Sequence, residues 1–329
     1  MLLRVPFFGA AIVLGMICLF FLWHIAVGAK PIALLTVAEA LWSFDRTDFD
    51  HVVIRNLRLP RAVYAVTVGA SLSVAGALMQ GVTRNPLAEP GLLGLLAGAS
   101  FAVVAAVGFF DLASPVWTPA VAAIGALAGA TLVWTIAARV PGGATPLSLI
   151  LSGAAVTAFL GALITLMQLL DEQTFESLRV WLTGTLAGRR VDVFLWCLPW
   201  FALGLAMAFA VARQVTALAM GEETAIGLGV DLRRLKITVL LCVVVLTAAS
   251  VAVAGPMGFV GLVIPHVARL LVGSDYRRII PYSAGLGAAY LLVVDIAARM
   301  VLAPVEVSTG IVTALLGAPF FVWLVRTRL

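Results

Sequence analysis

Charge is scarce in this sequence. Charged residues make up 11% of its 329 positions, against 63% hydrophobic residues. A soluble domain carries about 25% charge, so this composition excludes a water-soluble fold. Lysine is rarer still, with only Lys30 and Lys236. Neither lies in a GxxxxGK[ST] stretch, the loop that cradles nucleotide phosphates, so the chain is not expected to hydrolyse ATP by itself. The three cysteines, Cys18, Cys197 and Cys242, are far apart and lack CxxC spacing, which argues against a disulfide framework and a thiolate metal site. The three histidines, His24, His51 and His266, are scattered and form no HExxH. The formal net charge of +5 is too modest for a nucleic-acid surface and reads as loop charge that orients a membrane protein.

What the sequence does have is apolar runs of about 20 residues, repeated along its length, the size of a transmembrane helix. Helices satisfy their own backbone groups in hydrocarbon, and the roughly 10-residue alternation of a β-barrel is missing. The expected class is therefore an all-α integral membrane protein, a single transmembrane domain over 1–329. About ten spans are predicted, at 6–27, 62–80, 92–110, 116–138, 147–169, 193–212, 237–254, 258–272, 279–302 and 308–325. The first exceeds the 7–15 residues of a signal h-region and reads as retained. The eighth, flanked by Pro256 and containing Pro265, is expected to be short, tilted or broken. Small residues four apart, at Gly94/Gly98, Gly125/Gly129 and Gly69/Ser73, suit close helix packing inside the bundle.

An even span count puts both termini on one side. Placing them in the cytoplasm collects Arg84, Arg139, Arg213, Arg233, Arg234 and Lys236 on the inner face, as the positive-inside rule favours. Outer cations are interleaved with acids, among them Asp171, Glu172, Glu176 and Arg179 in one loop.

Four polar segments interrupt the apolar background. RNLRLPRAVYAV carries Arg58 and Arg61 around Pro60 at the outer mouth of the second span; the arginines either snorkel to the interface or dock an acidic partner. QGVTRNPLAEPGLLG is a polar inner turn in which Asn85 and Glu89 are placed to cap helix ends. DIAARMVLAPVEVSTG pairs Asp295 with Arg299 at i,i+4. An intramembrane acid can instead relay protons, so a proton-coupled secondary transporter using Asp295 is the alternative reading. GEETAIGLGVDLRRLK, 221–236, is the most polar inner segment. Glu222 and Glu223 suit the first turn of a short helix, Gly227 and Gly229 its end, and Asp231 the start of a second short helix.

These stretches, with WLTGTLAG, GPMGFVGLVIPHVARLLVGSDYRRIIPYSA and PVEVSTGIVTALLGAPFFVWLVR, resemble the FecCD/BtuC-type permease subunits of iron–siderophore, haem and vitamin B12 ABC importers. The likeness runs from about residue 55 to the C-terminus. It implies a BtuC-like ten-helix subunit of the bacterial inner membrane, paired with a second copy or a paralogue. Two ATPase subunits would use ATP and Mg²⁺ on the cytoplasmic face, and this chain would bind no cofactor. A substrate-binding protein would dock outside on Arg58, Arg61 and Arg299, and two short coupling helices within 221–236 would meet the ATPases. The cargo implied is a ferric siderophore ahead of haem and cobalamin.

Overall fold

A computed structural model describes residues 6–28, 30–110, 114, 116–141, 145–170 and 180–328. The predicted outer charges Asp171, Glu172, Glu176 and Arg179 lie outside the described residues. The described secondary structure is helical throughout, with no strand among the described residues. In chain order the elements are α1 (Pro6–Ala26), α2 (Leu34–Trp42), and α3 (Phe49–Val53), which runs through a π-helical turn (Ile54–Arg58) into α4 (Leu59–Thr83). Next come α5 (Leu95–Phe110), α6 (Thr118–Arg139), α7 (Pro146–Leu170), α8 (Val191–Ala219) and α9 (Glu222–Gly227). The chain ends with α10 (Leu232–Ala254), α11 (Val260–Val272), α12 (Tyr276–Met300) and α13 (Thr309–Arg328).

Each expected span coincides with one helix. Seven helical stretches, α1, α3–α4, α6, α7, α8, α10 and α12, are long and apolar enough to cross a membrane. The three shorter apolar ones are α5, α11 and the Thr309–Trp323 part of α13. At 13 residues, α11 reaches about 20 Å, well short of a hydrocarbon core of about 30 Å. It is short, as expected, but Pro265 does not break it.

Several boundaries move for local reasons. The α8 helix runs on to Ala219 because ARQVTALA holds no breaker, and Gly221, with φ 131°, stops the chain there. The α5 helix starts at Leu95, after a turn containing Pro90, Gly91 and Gly94 at φ 76°. A second short helix in DLRRLK does not exist as a separate element. Asp231 caps position 232 onward, accepting from Arg234 N at 3.0 Å, and no Gly or Pro comes next, so the same helix continues into α10. The short helices α2 and α3 between the first two spans were not expected.

Burial sorts the helices. The spanning windows of α4, α10 and α12 are 78%, 72% and 67% buried, whereas those of α1, α7 and α8 are 17%, 28% and 28%. The first three therefore form the centre, and the others surround it. Lipid offers apolar side chains no hydrophobic drive to associate, so these central helices hold through close backbone packing. A Cβ added at Gly69 would lie 2.3 Å from the Gly287 carbonyl oxygen, and one at Gly98 2.2 Å from that of Gly125. The small-residue stripes thus pack inside the subunit, α4 on α12 and α5 on α6. Gly69→Leu is expected to cost at least 1–3 kcal/mol by overpacking, read as a lower unfolding temperature in detergent, whereas Gly161→Ala, which meets open space, should leave it unchanged. Equal unfolding temperatures for the two variants would contradict this packing.

Candidate functional site

Polar chemistry is concentrated at the two ends of the bundle. Tyr276 N, at the start of α12, donates to Thr216 Oγ1 at 2.9 Å, which fixes that end near α9. Asp295 lies 19 residues further along α12, about 29 Å away at 1.5 Å per residue.

At the Asp295 end, α1, α4, α12 and α13 converge on one carboxylate. Asp295 is fully buried. Its Oδ2 accepts from His24 Nε2 and from Arg61 Nε, each at 2.8 Å. Its Oδ1 accepts from Thr309 Oγ1 at 2.7 Å and from Arg61 Nη2 at 3.1 Å. Because a carboxylate only accepts, the His24 tautomer is assigned with its proton on Nε2. Arg61 grips Asp295 in the two-pronged geometry that makes arginine–carboxylate pairs strong, and its Nη1 continues to Glu306 Oε2 at 2.7 Å. The expected Asp295–Arg299 pair is present but longer, at 3.5 Å.

Arg58 and Arg299 do something else. The last carbonyls of a helix have no partner within it. Arg58 Nη1 donates to Ile25 O and Ala26 O, both at 2.8 Å, and its Nη2 to Lys30 O at 2.5 Å. Arg299 donates to His24 O at 3.1 Å and to Val27 O at 3.0 Å. Two guanidinium groups thus satisfy the C-terminal end of α1, where positive charge is also favoured by the helix dipole. Gly28 leaves the room: a Cβ there would sit 2.8 Å from Arg58 Nη2. The two arginines that were expected to dock a binding protein, Arg58 and Arg299, are thus held within the chain. Both are buried and engaged by the chain itself, because the α1 end would otherwise leave bare carbonyls. Of the three arginines, only Arg61 reaches toward the surface, beside the more exposed Glu306.

At the other end, α9 stands between α8 and α10 as a six-residue helix. Glu222 and Glu223 occupy its first turn. Val230 N donates to Ala225 O and Gly229 N to Ile226 O, each at 2.9 Å. This is the Schellman stop, with Gly229 at φ 79°. Gly227 was expected to share that role, but it is simply the last helical residue, and a Cβ there would meet nothing within 4 Å. Lys236 Nζ donates to Glu222 Oε1 at 2.7 Å, and this contact holds the Glu222 carboxyl below its ordinary range. It ties α9 to the base of α10. Ile226 and Leu228 are exposed apolar side chains at its tip, and Glu223 is exposed beside them.

Glu89 caps as expected, but across the bundle: its Oε1 accepts from Phe259 N at the start of α11. Asn85 Oδ1 accepts locally from Leu87 N at 2.9 Å. The residues that sequence reasoning missed are His24, Arg61 as the main partner of Asp295, Thr309 and Glu306. A histidine inside the first apolar run was the available signal, since a polar group there must find a partner; which partner was not readable.

A many-helix bundle with a buried charge node at one end and a tethered short helix at the other is the architecture of a multi-pass transport permease. The chain belongs to the FecCD transport family, which matches residues 16–327. It is similar to the probable siderophore transport system permease protein YfiZ of Bacillus subtilis, 41% identical over 94% of this chain and 95% of that protein. It is equally similar to the cobalamin import system permease protein BtuC of Halobacterium salinarum, 41% identical over 92% of this chain and 81% of that protein. A solved metal-chelate-type ABC transporter in an inward-facing conformation aligns with TM-score 0.80 at 29% identity, covering 96% of this chain and 98% of that one. The chain is thus a membrane permease of ABC-importer type.

Removing Asp295 tests the node. Asp295→Ala takes the two-pronged partner from part-buried Arg61 and the counter-charge from buried Arg299, and is expected to cost about 3–5 kcal/mol, seen as a lower unfolding temperature. Adding Arg61→Leu should recover part of the loss. No destabilisation by Asp295→Ala would refute the node's structural role.

Proposed function

We propose that this chain imports an iron chelate, a ferric siderophore first, with haem and cobalamin as the next candidates. Relatives named for siderophore and for cobalamin are equally identical to this chain, so identity does not choose the cargo, and in this scheme that choice falls to the binding protein. The proposed assembly holds two permease subunits, two ATPase subunits that bring ATP and Mg²⁺, and an outer binding protein. It sits in the cytoplasmic membrane with both termini and α9 inside.

The observation that carries the reading is α9. It exposes Ile226 and Leu228 beyond the bundle and is tethered through Glu222–Lys236 to α10, a central helix packed on α4. A push on α9 therefore reaches the buried centre. In this scheme Glu222, Glu223, Gly227, Gly229 and Asp231 shape the ATPase contact: Gly229 and Asp231 by setting its stop and restart, Glu223 and the open edge at Gly227 as contact surface. ATP-driven motion of α9 then alternates two bundle arrangements that differ in affinity for the two partners. At the opposite end Arg61 and Glu306 meet the binding protein, while Arg58 and Arg299 hold α1 and the Asp295 node that support them. The proton-carrier reading of Asp295 finds no favourable observation, since four groups already donate to or pair with a carboxylate that no solvent reaches.

Ile226→Glu with Leu228→Glu should lower co-purification of the ATPase by about tenfold or more, as expected when apolar interface anchors are lost, and abolish ATP-dependent uptake of labelled ferric siderophore. Intact assembly and uptake would rule out the coupling role. On the outer face, Arg61→Glu should weaken binding-protein affinity by about 1–3 kcal/mol, whereas Arg58→Gln should lower folded yield more than affinity in the surviving protein. The docking assignment fails if Arg61→Glu binds with wild-type affinity.

A further inference from the structure

Beside α9 a cavity of about 510 Å³ opens between the end of α4, the turn after it, α6, α7 and the start of α10. Nothing in the transport scheme uses it. Its walls are apolar, with Leu93, Val133, Leu149, Val239 and Leu240 among them. Its size falls in the range of small-molecule sites, roughly 300–1,000 Å³. Polar groups gather at one place, where Arg84, Glu222 and Lys236 line it. Glu222 is taken by Lys236 at 2.7 Å. Arg84 is exposed and donates no hydrogen bond among the described residues; it shares the Glu222 charge with Lys236, so the three groups keep one net positive charge. Trp134, exposed on α6 five residues before Arg139, suits the membrane–water boundary, where tryptophans collect.

We propose that this cavity holds one acyl chain of an anionic glycerophospholipid from the leaflet on the α9 side, with its phosphate on Arg84. The apolar walls take the chain. The net positive charge beside them selects the headgroup, since basic residues near a membrane surface attract anionic lipid. The site needs only that the chain lie in a membrane and does not rest on the ATPase-coupling reading.

The test is native mass spectrometry of the full chain in detergent, titrated separately with phosphatidylglycerol and with phosphatidylcholine of the same acyl chains. The wild type should retain one phosphatidylglycerol in preference to phosphatidylcholine. Arg84→Glu should cut that retention about tenfold and erase the preference. Ala130→Phe, which puts a ring into the cavity from α6, should remove both lipids. Equal retention of the two lipids by the wild type, or unchanged retention in Arg84→Glu, overturns the proposal. A second measurement does not depend on any variant folding: phosphatidylglycerol with a photoreactive acyl chain should label wild-type peptides around 130–134 and 237–240. Labelling confined to other helices overturns the site as well.

Discussion

One buried carboxylate organises one end of this bundle. Asp295 carries a charge into a place no solvent reaches, and an isolated charge at the centre of a membrane helix costs about 2.5–3.5 kcal/mol or more. The surroundings are arranged to offset that. Arg61 of α4, His24 of α1 and Thr309 of α13 all donate to it. Helices distant in sequence thus meet at fixed heights, and Arg58 and Arg299 complete the arrangement by satisfying the bare carbonyls of α1. A node of this kind adds little net stability over an apolar core, but breaking it is expensive, so it serves registration more than binding strength.

The rest of the centre is held by closeness rather than by polarity. Glycines of α4 touch the backbone of α12, and Glu89 reaches from one turn to the first free N–H of α11, a helix too short to cross alone. These contacts make α4, α10, α11 and α12 one unit. A short helix is tied to the base of α10 through Glu222 and Lys236, and in the proposed scheme a push on it reaches that unit.

Much of this was legible in the residues. Helical class and span positions come from apolar run length, because a backbone in hydrocarbon has few other options. Glu222, Asp231 and Gly229 were readable as first-turn acid, cap and stop because helix ends are satisfied locally, within about four residues. Where local signals ran out, the sequence misled. DLRRLK was expected to form its own short helix because Asp231 suits a helix start, yet no breaker stands beyond Lys236 before Gly255, so the helix runs on. Arg58 reads as an interfacial or docking cation and Arg299 as the i,i+4 partner of Asp295, and nothing near them in sequence announces that the end of α1 lies beside them.

By itself the sequence determined the class of molecule and its family, since composition, run length and motif order are properties of the linear chain. Only the tertiary structure decided which arginine holds Asp295, since Arg61 and Asp295 are 234 residues apart and Arg55, Arg58 and Arg84 lie near Arg61 in the chain. It also decided that the glycine stripes face neighbouring helices of the same subunit, and that a cavity opens beside Arg84. The physical reason is the same in each case. Pairing, close approach and cavities are set by distances in space, and a helix of known length does not say which neighbour it will lie against.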